Sequence, residues 1–150
     1  MKANLIIIWA YTSEAIASTL LYTLLKTATN KENLKSFIID YKDIIIAIFG
    51  IMLAAALSFL WSLYSKSDSP FSIWLHSKGA YAVYLNSFIY SSGWFLAIII
   101  ITAISTKTEL PPLIELTIWT AIYCTILSIT FIKNIYSKLL LNMEFNKIGK

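Results

Sequence analysis

Apolar residues in this chain come in four long runs separated by short polar stretches. The runs span positions 5–25, 44–64, 80–104 and 111–132. An α-helix rises about 1.5 Å per residue, so each run covers roughly 30 Å or more, the thickness of a bilayer's hydrocarbon core. The pattern predicts an all-α integral membrane protein: a single domain over residues 1–150 with four transmembrane helices, plus amphipathic helices in the first loop and the C-terminal tail. Loops over 26–43, 65–79 and 105–110 lie between the runs, and a tail, 133–150, follows. A signal peptide would have a shorter apolar region, about 7–15 residues, ending at a small-x-small site. Ala15-Ile16-Ala17 offers such a site, but Glu14 lies directly before it and apolar sequence continues to Leu25. Residues 5–25 are therefore read as an uncleaved first span.

The polar stretches carry their own periodicity. In the first loop Leu34, Phe37, Ile38 and Tyr41 fall at i, i+3, i+4 and i+7, with Lys31, Glu32, Lys35 and Asp40 mostly on the other side. This predicts an amphipathic helix with Asn30 as N-cap, either lying along the interface or extending the second span. In the second loop Ser69 followed by Pro70 reads as a helix start, the serine capping and the proline taking the first position. Phe71, Ile73, Trp74 and Leu75 then form a short interfacial turn. Pro111-Pro112 opens the fourth span, where missing N–H groups cost least. Beyond that span Ile132, Ile135, Tyr136, Leu139, Leu140 and Met143 keep a helical apolar row, with Lys133, Lys138 and Asn142 off it. Such a row predicts headgroup contact or a docking surface for a cytosolic protein partner, through Tyr136, Leu139, Leu140 and Met143.

Lipid tails give helices no hydrophobic drive to associate, so packing within a bilayer falls to small residues and interhelical hydrogen bonds. The second span offers Gly50, Ala54, Ser58 and Ser62 at intervals of four, and the fourth offers Thr117, Ala121, Thr125 and Ser128. The first carries Ala10, Glu14, Ala17 and Ser18, with Ser13 alongside. These rows predict a tight bundle or a homo-oligomer. In the third span Asn86 and Tyr90 share a face with Gly93 and Ala97, and Ser87, Ser91 and Ser92 add hydroxyls. Two readings stay open: ordinary interhelical hydrogen bonding, or a polar cavity or pore wall lined by Ser13, Ser18, Asn86, Tyr90 and Ser91 opposite Glu14.

Composition agrees with the membrane class. The chain is 58% hydrophobic and 13% charged, against roughly 25% charged in soluble domains, and its mean hydropathy is +0.71. Its formal charge of +4 comes from lysine alone, with no arginine. Bidentate arginine contacts to phosphate or bases are thus excluded, and no direct nucleic-acid binding is expected. Counted with the N-terminus inside, seven lysines (2, 66, 78, 133, 138, 147, 150) lie on the cytoplasmic side and five (26, 31, 35, 42, 107) on the other. This bias places both termini in the cytoplasm. A single cysteine, Cys124, and a single histidine, His76, exclude an intrachain disulfide and an ordinary zinc site, so no metal or cofactor is expected. No catalytic constellation is visible, and the segments between and after the runs are too short for a catalytic domain, so the chain does not read as an enzyme.

Glu14 is the sharpest chemical signal. An ionised carboxylate at the centre of a span costs about 2.5–3.5 kcal/mol on insertion scales. Glu14 is either a proton or ion site or a structural carboxyl bonded to Ser, Asn or Tyr of a neighbouring helix. Glu115, near the start of its helix, suits the dipole there. His76 reads as a solvated loop residue or a pH sensor, and Cys124 as packing.

Two resemblances follow from these residues. The run from Ala10 to Leu20, with Tyr11-Thr12-Ser13-Glu14 inside it, and faintly Ala80 to Tyr84, resembles the small multidrug resistance exporters. That resemblance implies a Glu14-dependent, proton-coupled exporter of small cations. The layout over residues 45–145 resembles the small four-span membrane proteins of phage exclusion and defence (RexB-like and KwaA-like). It comprises an uncharged span with Ala55 to Leu60, a Lys/Ser loop, a third span with Tyr, Ser and Phe, a proline-started fourth span and an apolar-rowed tail. This second resemblance implies an oligomeric component of the bacterial inner membrane, an ion channel or a sensor that anchors a cytosolic partner. It leads the expectations. An immunity protein against a pore-forming toxin shares the same layout.

Overall fold

The computed structural model describes the backbone of residues 2–148 and the side chains of Trp9 and residues 11–147. Ala10 of the small-residue row, and Lys2 and Lys150 of the lysine bias, lie outside the described side chains. Every element among the described residues is helical: α1 (Lys2–Ala28), α2 (Lys31–Ser65), α3 (Pro70–Ser77), α4 (Ala80–Thr108) and α5 (Pro111–Ile148). Three of them, α2, α4 and α5, are long and apolar enough to cross a membrane. The first predicted span falls inside α1, whose leading side chains are outside the described set.

Helices absorb most of what polarity marks as loop. The predicted first loop, 26–43, reduces to Thr29 and Asn30, because α2 starts at Lys31 and takes in the amphipathic segment. Of the two alternatives for that segment, the helix extends the second span. The reason is phase: Leu34, Ile38 and Ile45 lie on one side, packed around Ile114 and Ile118 of α5, so segment and span share a continuous inner face. Asn30 has the extended backbone of an N-cap, but its side chain makes no capping bond.

The other junctions are equally short. Ser69 caps α3, its Oγ accepting the Ser72 N–H at 3.3 Å, with Pro70 in the first helical position. Gly79 reverses the chain into α4 at φ 68, where an added Cβ would meet no atom within 4 Å, so backbone conformation and not crowding favours glycine there. The next helix, α4, runs on to Thr108, leaving only Glu109 and Leu110 before α5 where the pattern predicts a loop over 105–110. Glu109 makes that turn in the left-handed region (φ 52), its N–H donating to the Ser105 carbonyl at 2.8 Å. Span and tail of α5 form one rod of 38 residues, roughly 57 Å long.

Cross-contacts define the topology. Phe49 stacks on Phe95 and the Tyr81 hydroxyl donates to the Leu63 carbonyl, so α2 and α4 are antiparallel. The Thr117 and Ser105 hydroxyls lie 2.8 Å apart and Asn134 reaches Ser87, which makes α4 and α5 antiparallel as well. α1 runs back along α5, tied by Lys26 to Glu115 and by the Trp119 indole to Thr19. α2, α4 and α5 thus form the core, α1 is added through α5, and α3 packs on α4.

Aromatic rings fill that core. Phe88 and Phe95 both meet the Phe131 ring edge-on, and Phe59 closes the group against Phe88 and Phe131. The inner face of α2 carries Phe49, Ala56 and Leu63, spaced by seven. The small row Gly50, Ala54, Ser58 and Ser62 is rotated off this face: Ala54 and Ser58 are exposed, and a Cβ added at Gly50 would touch nothing within 4 Å. On α5, Thr117 is buried, Ala121 half-buried and Thr125 exposed. Within one chain the helices therefore meet through interlocked rings, whose many small dispersion contacts replace close backbone approach. In the tail, Ile135 and Leu141 pack on the core and Phe145 meets Phe71 and Trp74. Tyr136, Leu139, Leu140 and Met143 face outward, 42–62% exposed.

Candidate functional site

Three helices bring polar groups to one place through spacings of three, four and seven. α1 presents Tyr11, Glu14 and Ser18, α4 presents Ser87 and Tyr90, and α5 presents Tyr123, Thr130 and Asn134. Glu14 is 7% exposed and its Oε2 is buried with no hydrogen-bond partner. Thr130 is a polar neighbour of the carboxyl, and the Tyr11 and Tyr123 side chains lie within range of its charge. No ion pair to Glu14 exists among the described residues.

The tyrosines hold this region together. The Tyr11 ring lies on Tyr90, centroids 4.1 Å apart, and the Tyr90 and Tyr123 hydroxyls share a hydrogen bond of 2.6 Å in which either can donate. Tyr123 is clamped in turn between the indoles of Trp119, stacked at 5.4 Å, and Trp94, edge-on at 4.8 Å. Ser87, a neighbour of Tyr11, accepts at its Oγ from Asn134 Nδ2 at 2.6 Å. On its outer side Tyr90 lines an open groove of about 280 Å³ with Gly93, Trp94 and Ala97 of α4. The bonded Tyr90–Tyr123 hydroxyl pair thus lies within range of the Glu14 charge, with no hydrogen bond joining Tyr123 to the carboxyl among the described residues.

The remaining predicted residues separate. Ser18 is fully buried and donates to the Glu14 carbonyl at 2.7 Å, which occupies its hydroxyl locally. Ser91 is buried with its Oγ unpartnered. Ser13 and Asn86 lie on exposed faces. Tyr123, Thr130 and Asn134 are not among the residues the sequence pattern singles out, although their spacing of seven and four on one helix is visible in the chain.

Glu115 belongs elsewhere. Its Oε2 accepts from Lys26 Nζ at 2.9 Å and from the Tyr22 hydroxyl at 3.0 Å. With the Lys35–Glu109 pair (2.7 Å) this contact borders a cavity of about 210 Å³ at the end of the bundle where α1, α2 and α5 converge. Glu14 is twelve positions along α1 from Lys26, roughly 18 Å away. His76 is exposed and stacked on Tyr81 at 4.0 Å, and Cys124 is fully buried. No cluster of three or more His, Cys, Asp or Glu that could hold a metal exists among the described residues.

No family model, curated protein or solved structure matches this chain. Functional reading therefore rests on the site itself.

Proposed function

We propose that this chain is a four-span integral membrane protein, α1 supplying the span beyond α2, α4 and α5, that binds a proton or small cation at Glu14 and exchanges it across the bilayer. One observation carries the reading: a carboxyl oxygen is buried mid-helix with neither cation nor hydrogen-bond donor among the described residues, in a chain with three membrane-length helices. In hydrocarbon such a group requires compensation, and a proton or a bound cation supplies it. The bonded Tyr90–Tyr123 hydroxyl pair supports the proton version, since a small shift of Tyr123 towards the carboxyl would complete a path along which each O–H passes a proton and accepts another. Glu14 would then hold the transported charge, Tyr90 and Tyr123 would connect it to the outside, and Thr130 would orient the carboxyl. Proton-coupled export of a small cation is the form of this activity that the exporter resemblance suggests.

Proteoliposomes loaded with a pH-sensitive dye test it. The intact protein is expected to carry protons down an imposed gradient, Glu14→Gln to abolish the flux, and Glu14→Asp to keep part of it. Equal flux in wild type and Glu14→Gln would remove Glu14 from the function.

A second reading, an oligomeric phage-defence component of the inner membrane, is favoured by the exposed apolar row Tyr136, Leu139, Leu140 and Met143. A row of this kind buries itself against another copy or a cytosolic protein. It predicts phage protection or membrane depolarisation on expression, lost when Leu139 and Met143 both become serine. Cells that gain neither would exclude it.

A further inference from the structure

At the end of the bundle opposite the Lys26–Glu115 pair, α2, α3 and the α5 tail enclose a cavity of about 430 Å³. Its floor is apolar, made by Phe59, Leu63, Phe71, Ile135 and Phe145. Its rim carries two ammonium groups, Lys66 and Lys138, beside the Asn142 and Asn146 amides. Among the described residues no carboxylate lines it: Asp68 and Glu144 are absent from the wall. Neither lysine makes an ion pair among the described residues, and Lys138 is half-buried over the Phe59 ring at 5.9 Å. Two like charges facing one partly desolvated space repel, and an anion placed between them reverses the sign of that interaction. Trp61, Tyr64 and Trp74 lie at the same end, and such residues settle at headgroup depth.

We propose that this cavity binds the phosphate headgroup of an anionic phospholipid, the two lysines and two asparagines holding the phosphate and the aromatic floor taking the upper acyl chains. The assignment rests on the membrane reading given above. An apolar floor under a cationic rim matches a lipid better than free phosphate, which would leave the floor empty. Two ammonium groups facing one headgroup attract a net negative lipid and repel the choline cation of a zwitterionic one, which predicts a several-fold preference for the anionic lipid.

Native mass spectrometry tests this on the full chain in uncharged micelles holding equal amounts of phosphatidylglycerol and phosphatidylcholine. Wild type and Lys133→Gln, which removes an exposed lysine outside the cavity, are expected to retain phosphatidylglycerol selectively. The double variant Lys66→Gln/Lys138→Gln, checked for unchanged helicity by circular dichroism, is expected to retain both lipids equally. Equal retention by wild type, an undiminished preference in the double variant, or displacement of the lipid by inorganic phosphate would each overturn the site. Carbonate extraction of cell membranes separates the two levels: release of the protein sinks the membrane reading and this site together, whereas an integral protein without lipid preference sinks the site alone.

Discussion

Replacing Glu14 with leucine distinguishes a working acid from a structural one. Its Oε2 is buried and unpartnered, and a group in that position carries a desolvation penalty of about 1–3 kcal/mol. The contact with Thr130 offsets about 0.5–1.5 kcal/mol of this. Leucine has similar volume and removes both effects, so Glu14→Leu is expected to stabilise the fold by about 0.5–1.5 kcal/mol. For a chain of this size the unfolding midpoint rises by about 2–4 °C per kcal/mol. Glu14→Gln falls below leucine, since its amide keeps buried polar atoms that need partners and leucine removes them. The assay is thermal unfolding in detergent followed by tryptophan fluorescence, run beside the proteoliposome flux measurement. Higher stability with lost flux is the signature of a site kept at the expense of stability. A midpoint lowered by a comparable amount would show that the carboxyl stabilises the α1–α5 contact, and unchanged flux would show that it plays no part in transport; either result refutes the argument.

Other predictions concern the frame around the site. Glycine to alanine should act oppositely at two positions: Gly79→Ala costs about 1–2 kcal/mol because φ is 68 there, while Gly50→Ala, in helix interior with open space around it, gains about 0.8–1 kcal/mol. Two denaturant titrations check this, and shifts of the same sign would contradict it. Ser69→Ala removes the α3 cap and is expected to lose about 1 kcal/mol, with Ser69→Asp restoring it in the same titration. Finally, Lys35 beside Glu109 holds that carboxyl below the usual carboxylate range. A carboxyl depressed on folding contributes stability above its unfolded value and loses it as pH falls through the lowered one. The stability difference between wild type and Glu109→Gln should accordingly be small, present at neutral pH, and vanish below about pH 4. Unfolding midpoints across pH would reveal the opposite trend if the pairing were wrong.

Element identity is legible in the chain where it depends on local chemistry. Apolar runs place α2, α4 and α5, and Ser69-Pro70 places the start of α3 because capping involves only neighbours. Loop lengths are misread when polarity alone serves as a stop signal. Lys31, Glu32 and Lys35 are good helix formers, and Leu34 and Ile38 continue the inner phase of α2, so nothing ends that helix before Ser65. Rotational setting is least readable. On a helix apolar on nearly every side, Gly50-Ala54-Ser58-Ser62 and Phe49-Ala56-Leu63 are equally regular rows, and it is packing against α4, through Phe95 on Phe49 and Tyr81 on Leu63, that favours the second. The same holds at Glu14. Its proximity to Tyr11 follows from their spacing of three on α1, but its meeting with Tyr123 and Thr130 depends on α1 running back along α5, which no local pattern encodes.

α5 contains neither glycine nor proline after Pro112, so it has no joint at which to bend. Tyr123 and Phe145 are twenty-two positions apart on that stiff shaft, roughly 33 Å, and a tilt of about 5° at one would carry the other some 3 Å sideways. On the two proposals made above, a lever of that proportion would connect the charge site to the lipid site. Rearranging the Tyr90–Tyr123 pair when a proton arrives would open or close the space under Lys138, and filling that space would set how readily the proton comes and goes.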